Sequence, residues 1–333
     1  MSFPLFPDQP ATALVGIAKL AASGETLESK RRVEYRELPT RSILNRCPPG
    51  SRMPFQWTIN PYRGCEFGCK YCYARYTHEF LELRRPEEFE QIIYAKQWDP
   101  AGFREDLAKV TPRERIAIGT ATDPYQPAER RFVITRRILE VFAREGGRRL
   151  SLVTKSDLVV RDKGLLVDIA RRNELIIHLT ITTTDAELAR LVEPLAPRPE
   201  LRLKALAELA AAGLRVGVLC CPILPRLNDS MRSLEAVASA ASSAGACSLA
   251  GGVVYLKPAA RRVFFPFLEA HFPQLVERYR ERFRHGAFLH GDYPDAIGRR
   301  LRAVRARYKL DRAVAAGPAV GWPEEPQMRL EWG

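Results

Sequence analysis

Short, almost continuously apolar runs recur along the chain at 115–119, 150–154, 175–181, 214–219 and 249–255. Each is β-rich and apolar on both faces, the pattern of a strand buried in a parallel sheet. A sixth run, 57–60, precedes them. Between the runs, residues 135–145, 165–172, 199–212 and 230–244 place apolar side chains at three- and four-residue spacing, as helices with one buried face do. Gly146, Gly213 and Gly245 fall where those helices should stop. Strands alternating with helices predict right-handed βαβ units and a parallel sheet. Six such units predict an α/β fold with a partial (β/α)6 TIM-type barrel in place of a closed eightfold one.

Around this core, residues 1–54 are rich in Pro, Ser and charge and are expected to form an N-terminal extension, with one short helix at 12–22. The core is expected over 55–260, and a basic, mainly helical C-terminal segment over 261–333. No apolar run reaches membrane-spanning length, and the N-terminus lacks the basic and apolar regions of a secretory signal. A cytoplasmic protein with no membrane partner is therefore expected.

Parallel α/β folds gather ligands at the carboxyl ends of their strands. The polar loops lie there: 61–75 after the first strand, Thr120 to Pro127 after the second, Thr154 to Ser156 after the third. Thr182 to Asp185 follow the fourth, Cys220 to Pro225 the fifth, and Lys257-Pro258 the sixth.

The first of these loops carries Cys65, Cys69 and Cys72 in a C-x3-C-x2-C spacing. Structural zinc wants four closed ligands, and neither Cys47 nor His78 stands in a pairing that completes the set. A disulfide framework fits poorly with seven cysteines in a long chain lacking a secretory signal. Three thiolates can hold three irons of a cubane cluster and leave the fourth open to an outside ligand, where chemistry becomes possible. The triplet is accordingly read as a 4Fe–4S ligand set, with zinc as the alternative.

The formal charge is +13, with a pI near 9.6. Residues 261–312 hold thirteen Lys and Arg against six Asp and Glu, with Arg278, Arg280, Arg282 and Arg284 alternating and Arg299, Arg300, Arg302, Arg305 and Arg307 following. Such a segment suits a DNA or RNA partner; the competing explanation is that Arg simply replaces Lys on solvated faces throughout. Lys155, beside Asp123 and Thr182 in the expected mouth, is placed to pair with a carboxylate. Tyr71 and Tyr73 flank the last cysteine. His178 lies inside a strand and reads as a core histidine, and Gly251-Gly252 is no phosphate-binding fingerprint.

Several stretches together resemble the radical S-adenosylmethionine (SAM) superfamily, and within it the spore photoproduct lyase-like group. They are Asn60-Pro-Tyr-Arg-Gly-Cys65, Cys72-Tyr-Ala-Arg75, Thr77-His-Glu79, Asp123-Pro-Tyr-Gln-Pro127, Thr154-Lys-Ser156, Arg161-Asp162, Glu193-Pro194, Arg202 and Pro222-Ile-Leu-Pro225, in order over 55–229. The resemblance implies a 4Fe–4S cluster on the three cysteines and SAM on the open iron, cleaved on reduction to a 5′-deoxyadenosyl radical. It implies that Tyr73 sits near SAM and relays a hydrogen atom. It also implies that Tyr71, Asp123, Lys155, Thr180 or Thr182, Glu193 and Arg202 help hold SAM, although Glu193 and Arg202 suit a structural ion pair nearly as well. An electron donor such as flavodoxin or ferredoxin is implied too, and His78 is expected to support the loop or the substrate.

One position departs from the group. Spore photoproduct lyase uses a cysteine as hydrogen donor three residues before the Asp of the second loop; here that residue is Thr120, whose O–H bond is too strong for the role. Cys220 and Cys221 lie at the fifth strand's mouth, so Cys221 is the candidate donor, and at least one of the two should be a buried core residue. Cys47 and Cys247 read as structural. The expected activity is a radical SAM reaction on nucleic acid, in repair or modification. A peptide or small-molecule substrate, and a non-catalytic cluster- or zinc-bearing nucleic-acid-binding protein, are the alternatives.

Overall fold

The computed structural model describes residues 16–24, 26–29, 33–48 and 53–311. All six predicted strands form, as β1 (Trp57–Ile59), β2 (Arg115–Ile118), β3 (Arg149–Thr154), β4 (Glu174–Thr180), β5 (Val216–Ile223) and β6 (Ser248–Val253). They lie side by side in chain order, each parallel to the next, with Ile59 opposite Ile118, Leu152 opposite Ile177 and Val218 opposite Leu249. β1 and β6 do not pair, so the barrel is open. Each edge is covered: Leu44–Arg46 runs antiparallel along β1, and Leu249 N–H donates to the Leu310 carbonyl at 3.1 Å on the β6 side.

Helices fill the crossovers at Ile134–Arg144, Lys163–Arg172, Pro199–Ala211 and Met231–Ser243, the last opened by Ser230, whose hydroxyl accepts from Ser233 N–H at 3.1 Å. Gly213 and Gly245 stop two of them. The third stop is Gly147, at φ +78°, one residue beyond the predicted Gly146, because the helix already ends at Arg144 and Glu145 is extended. The helix expected at 12–22 runs Gly16–Ser23; its residues 12–15 lie outside the described residues.

A second sheet was not foreseen. Its strands are Thr26–Ser29, Glu34–Leu38, Ile92–Lys96 and Tyr62–Arg63, adjacent in that order. Glu34–Leu38 pairs parallel with Ile92–Lys96, and Tyr62–Arg63 pairs antiparallel with its other edge. This sheet is bolted to the chain just where β1 leads into the cysteine loop.

The main core lies between the large sheet and its helices. A second apolar core joins Phe67, Cys69 and Tyr71 to Phe264, Phe267, Leu268, Tyr279 and Phe283 of the helices Pro258–His271 and Val276–Arg282 and the residue that follows. The C-terminal helices thus wall in the cysteine loop. The longest, Asp292–Tyr308, packs through Ile297, Leu301 and Val304 on Met231–Ser243 and β6. Residues 312–333 of the basic segment lie outside the described residues. Among the described residues no helix is long and apolar enough to cross a membrane.

Candidate active site

The loop leaving β1 needs glycine at its first turn. Gly64 sits at φ +81°, and a Cβ there would lie 2.8 Å from the carbonyls of Ile92 and Phe89. Cys65 N–H donates to Phe89 O at 3.0 Å and Cys72 N–H to Cys69 O at 3.2 Å. The β2 loop straps this turn down. Gln126 donates to Gly64 O at 3.1 Å and accepts from Glu66 N–H at 3.0 Å, and Thr122 Oγ1 donates to Gly64 O at 2.6 Å. Glu66 in turn accepts from Ala128 N–H at 2.8 Å and from Tyr35 Oη at 2.9 Å. Arg75, almost wholly buried, donates to the Cys69 carbonyl at 3.1 Å and pairs with Glu90 at 2.5 Å. Glu66 was not singled out from the sequence, and Gln126 and Arg75 stood there only as letters of the matching stretches; the three-dimensional pairing reveals their work.

The three cysteines face one another in an otherwise apolar wall. Burial pushes all three thiols up, Cys69 to about 12, and the Cys65 and Cys69 thiols are raised further by their sulfur neighbours. As free thiols they stay protonated, and bound iron is what draws the protons off. Among the described residues no fourth His, Cys, Asp or Glu joins the three cysteines as a structural zinc site would require. The donor set fits a cluster that leaves one iron without a protein ligand.

Across from the loop stands Lys155, half-buried at the end of β3. Its Nζ lies 5.9 Å from the Tyr71 ring centroid and has no hydrogen-bond partner among the described residues. Burial pulls this ammonium down, but the negative potentials of Cys69 and Glu193 outweigh it and hold the group above its ordinary value. Asp123 sets its position: one carboxylate oxygen accepts from Lys155 N–H at 2.7 Å, the other from Thr154 Oγ1 at 2.6 Å and Tyr125 N–H at 2.9 Å. Asp123 is therefore spent on joining the β2 loop to β3, and it reaches the mouth through Lys155. Gly119, at φ +89°, permits that approach, since a Cβ there would stand 2.5 Å from Val153 O.

Glu193 and Arg202 form a buried pair at 2.5 Å. Glu193 also accepts from Tyr71 Oη and from Thr182 Oγ1 at 3.2 Å, while Arg202 donates to Thr180 O at 3.0 Å and Pro197 O at 2.7 Å. Burial pushes the Glu193 carboxyl up, yet Arg202 and Lys155 override it and keep the group below its usual range. Tyr71, Thr180, Thr182, Glu193 and Arg202 thus form one network behind the cysteines.

Tyr73 donates to the Thr120 carbonyl and packs at 5.1 Å on Tyr255, which stacks on Phe288. Cys221 is electrostatically coupled to Tyr73 and Tyr255, so the three meet in the mouth. Burial raises Cys221 to about 11, with Lys155 opposing. Cys220 points away into the core, 1 % exposed, its Sγ 3.7 Å from Thr182 O. Tyr255 was missed because it lies beyond β6, where no pattern marks it. His78 packs on Phe89 and Tyr94 beneath the loop, and His178 lies 3.4 Å from Ser151 inside the sheet; burial lowers both to about 4, so both are neutral.

The basic segment is less free than its composition implies. Arg280 pairs with Glu269 and Glu277, Arg284 with Glu281, Arg305 with Asp311 and Arg307 with Glu235. Arg278, Arg299 and Arg302 are exposed and have no such partner among the described residues.

The sequence profile of the Radical SAM superfamily matches residues 59–235, the stretch from the end of β1 through β5 that carries the three cysteines, Asp123, Lys155, Glu193, Arg202 and Cys221. The chain belongs to this superfamily, whose enzymes use a 4Fe–4S cluster and SAM. An uncharacterised protein of Mycobacterium tuberculosis is 34% identical over 279 residues, covering 84% of this chain and 82% of its own. One of Methanocaldococcus jannaschii is 31% identical over 185 residues, covering 54% and 64%. In fold, the chain is similar to spore photoproduct lyase complexed with dinucleoside spore photoproduct, at a TM-score of 0.60 and 16% identity over 82% of this chain and 79% of that one.

Proposed function

We propose that this radical SAM enzyme acts on nucleic acid, in repair or modification, with its cluster on Cys65, Cys69 and Cys72. The observation that carries the cluster assignment is the meeting of three thiols, Cys69 buried and Cys65 and Cys72 half-buried, with the ammonium of Lys155, which has no hydrogen-bond partner among the described residues, at the carboxyl ends of β1 and β3. When bound and reduced, the cluster supplies the electron that splits SAM into methionine and a 5′-deoxyadenosyl radical. Lys155 holds the methionine carboxylate as an ion pair. The Tyr71–Glu193–Arg202 network fixes the wall against which SAM lies, and Thr180 and Thr182 shape its rim. The C-terminal helices keep water from the reacting atoms. Tyr73 and Cys221 carry the hydrogen atom at the mouth; burial keeps Cys221 a thiol, the form that has an S–H bond to give.

Nucleic acid is favoured by the charge of +13 and by the dinucleoside ligand of the lyase that shares the fold. An acidic electron carrier such as flavodoxin or ferredoxin suits the same positive surface. All seven cysteines are unpaired, in keeping with a reducing, cytoplasmic setting. The division into 1–54, 55–260 and 261–333 is retained as part of this reading.

Anaerobic reconstitution with iron and sulfide tests it. The reduced wild type should release 5′-deoxyadenosine from SAM, and Cys69→Ala should not. Release by Cys69→Ala would refute the ligand assignment, and no release by the wild type would refute the reaction.

A further inference from the structure

A second charged site lies outside the network that faces the cysteines. The strand Tyr62–Arg63 runs antiparallel to Ile92–Lys96, with Arg63 opposite Tyr94 and Lys96 N–H donating to Pro61 O at 3.1 Å. The side chains of Arg63, Tyr94 and Lys96 therefore share one face. Lys96 is only 5 % exposed, yet its ammonium has no hydrogen-bond or ion-pair partner among the described residues. Arg63 donates one weak bond, Nη1 to Thr77 O at 3.4 Å, and its Nε is buried without a partner. The two cations repel each other, and no carboxylate acts on either.

A buried cation beside a half-buried one, with no anion partner among the described residues, is a costly arrangement for a fold to keep. Arg63 lies three residues past Asn60, whose side chain bonds Thr120 and Ala121 in the barrel mouth. The line of charge continues. Tyr76 interacts with Arg63, and Lys257, four residues past β6 at the start of the helix Pro258–His271, places its Nζ 4.1 Å from the Tyr76 ring centroid. Arg63, Tyr76 and Lys257 thus run in a line from the small sheet to the start of the helix Pro258–His271.

We propose that Arg63 and Lys96 bind a phosphate group of the substrate strand, with Lys257 holding the adjoining stretch of backbone. The phosphate's source rests on the nucleic-acid reading above. Burial and the Arg63 charge hold Lys96 near 7, and a bound anion restores its full charge.

Two measurements on the full chain test the site, and neither needs turnover. In thermal melts at constant ionic strength, inorganic phosphate should raise the wild-type Tm and leave Lys96→Met unmoved. Without phosphate, Lys96→Met should melt above the wild type, which also shows that the variant folds. In titrations with a dinucleotide bearing one internal phosphate, Lys96→Met and Arg63→Gln should each bind about tenfold more weakly than wild type. Equal response of wild type and Lys96→Met in both assays would overturn the site. Stabilisation by a glutamate-rich peptide but not by phosphate would overturn the ligand class. Binding of inorganic phosphate without the dinucleotide would overturn the substrate assignment. Since none of these readouts uses 5′-deoxyadenosine, failure here is separable from failure of the radical SAM reading.

Discussion

Arg202 Nη2 stands 2.5 Å from Glu193 Oε2, with neither side chain more than 1 % exposed. The pair links the end of β4 to the cysteine loop through Tyr71. Removing one partner strands the other charge in the interior, which costs about 3–5 kcal/mol. Glu193→Ala and Arg202→Met should each lose stability of that order in urea unfolding of the cluster-free protein. The double variant should lose less than the sum, because no charge is then left unpaired. Additive losses would mean that the two residues act separately.

Lys155 offers the contrasting case of a cation left free to meet a ligand. Lys155→Met keeps the length of the side chain and removes the charge. Cluster assembly, followed by its visible absorbance, should proceed as in the wild type. SAM affinity measured by equilibrium dialysis should fall about 10- to 100-fold, the loss expected for a charge-assisted bond. Unchanged SAM affinity would remove Lys155 from the site.

The pH dependence follows from His178. Its folded value, lowered to about 4 by burial and by Arg115 and Arg215, lies below the ordinary 6.5. The unfolded chain therefore takes the proton first, and stability is lost as pH falls from 6.5 towards 4, at about 1.4 kcal/mol per pH unit at most. His178→Gln should lower the slope across that window by its own share, the remainder coming from the equally lowered His78, and leave the profile unchanged above pH 7. An unaltered slope in denaturant midpoints between pH 6.5 and 4.5 would show that His178 is already solvated.

The six barrel strands were legible because parallel strands buried on both faces write themselves as unbroken apolar runs. The cysteine triplet was legible because metal chemistry demands a fixed spacing within one loop. The small sheet was not, since Glu34–Leu38 and Tyr62–Arg63 are mixed or charged and become strands only through Ile92–Lys96, some thirty to sixty residues away. The same distance hid the Arg63–Lys96 pair: nothing in either segment announces the other. The glutamine of the Asp123–Pro127 motif was visible as a letter, but its task of holding Gly64 and Glu66 was not. Composition misled at one point, because it counts Arg280, Arg284 and Arg307 as positive charge without seeing the glutamates beside them.

That last distinction is itself testable with a labelled single-stranded oligonucleotide. An arginine that neutralises a phosphate releases counterions, and each such contact contributes about 0.7 to the slope of log K against log salt. Arg278 and Arg302 are exposed and unpaired among the described residues, whereas Arg280 is held by two glutamates. Arg278→Gln and Arg302→Gln should each lower the slope by roughly that amount if the strand crosses the C-terminal helices. Arg280→Gln should change it little, because its charge is already engaged. Anisotropy titrations over a salt series decide the matter. Equal slopes for all three variants and the wild type would place the strand elsewhere, leaving Arg63, Lys96 and Lys257 as its contact.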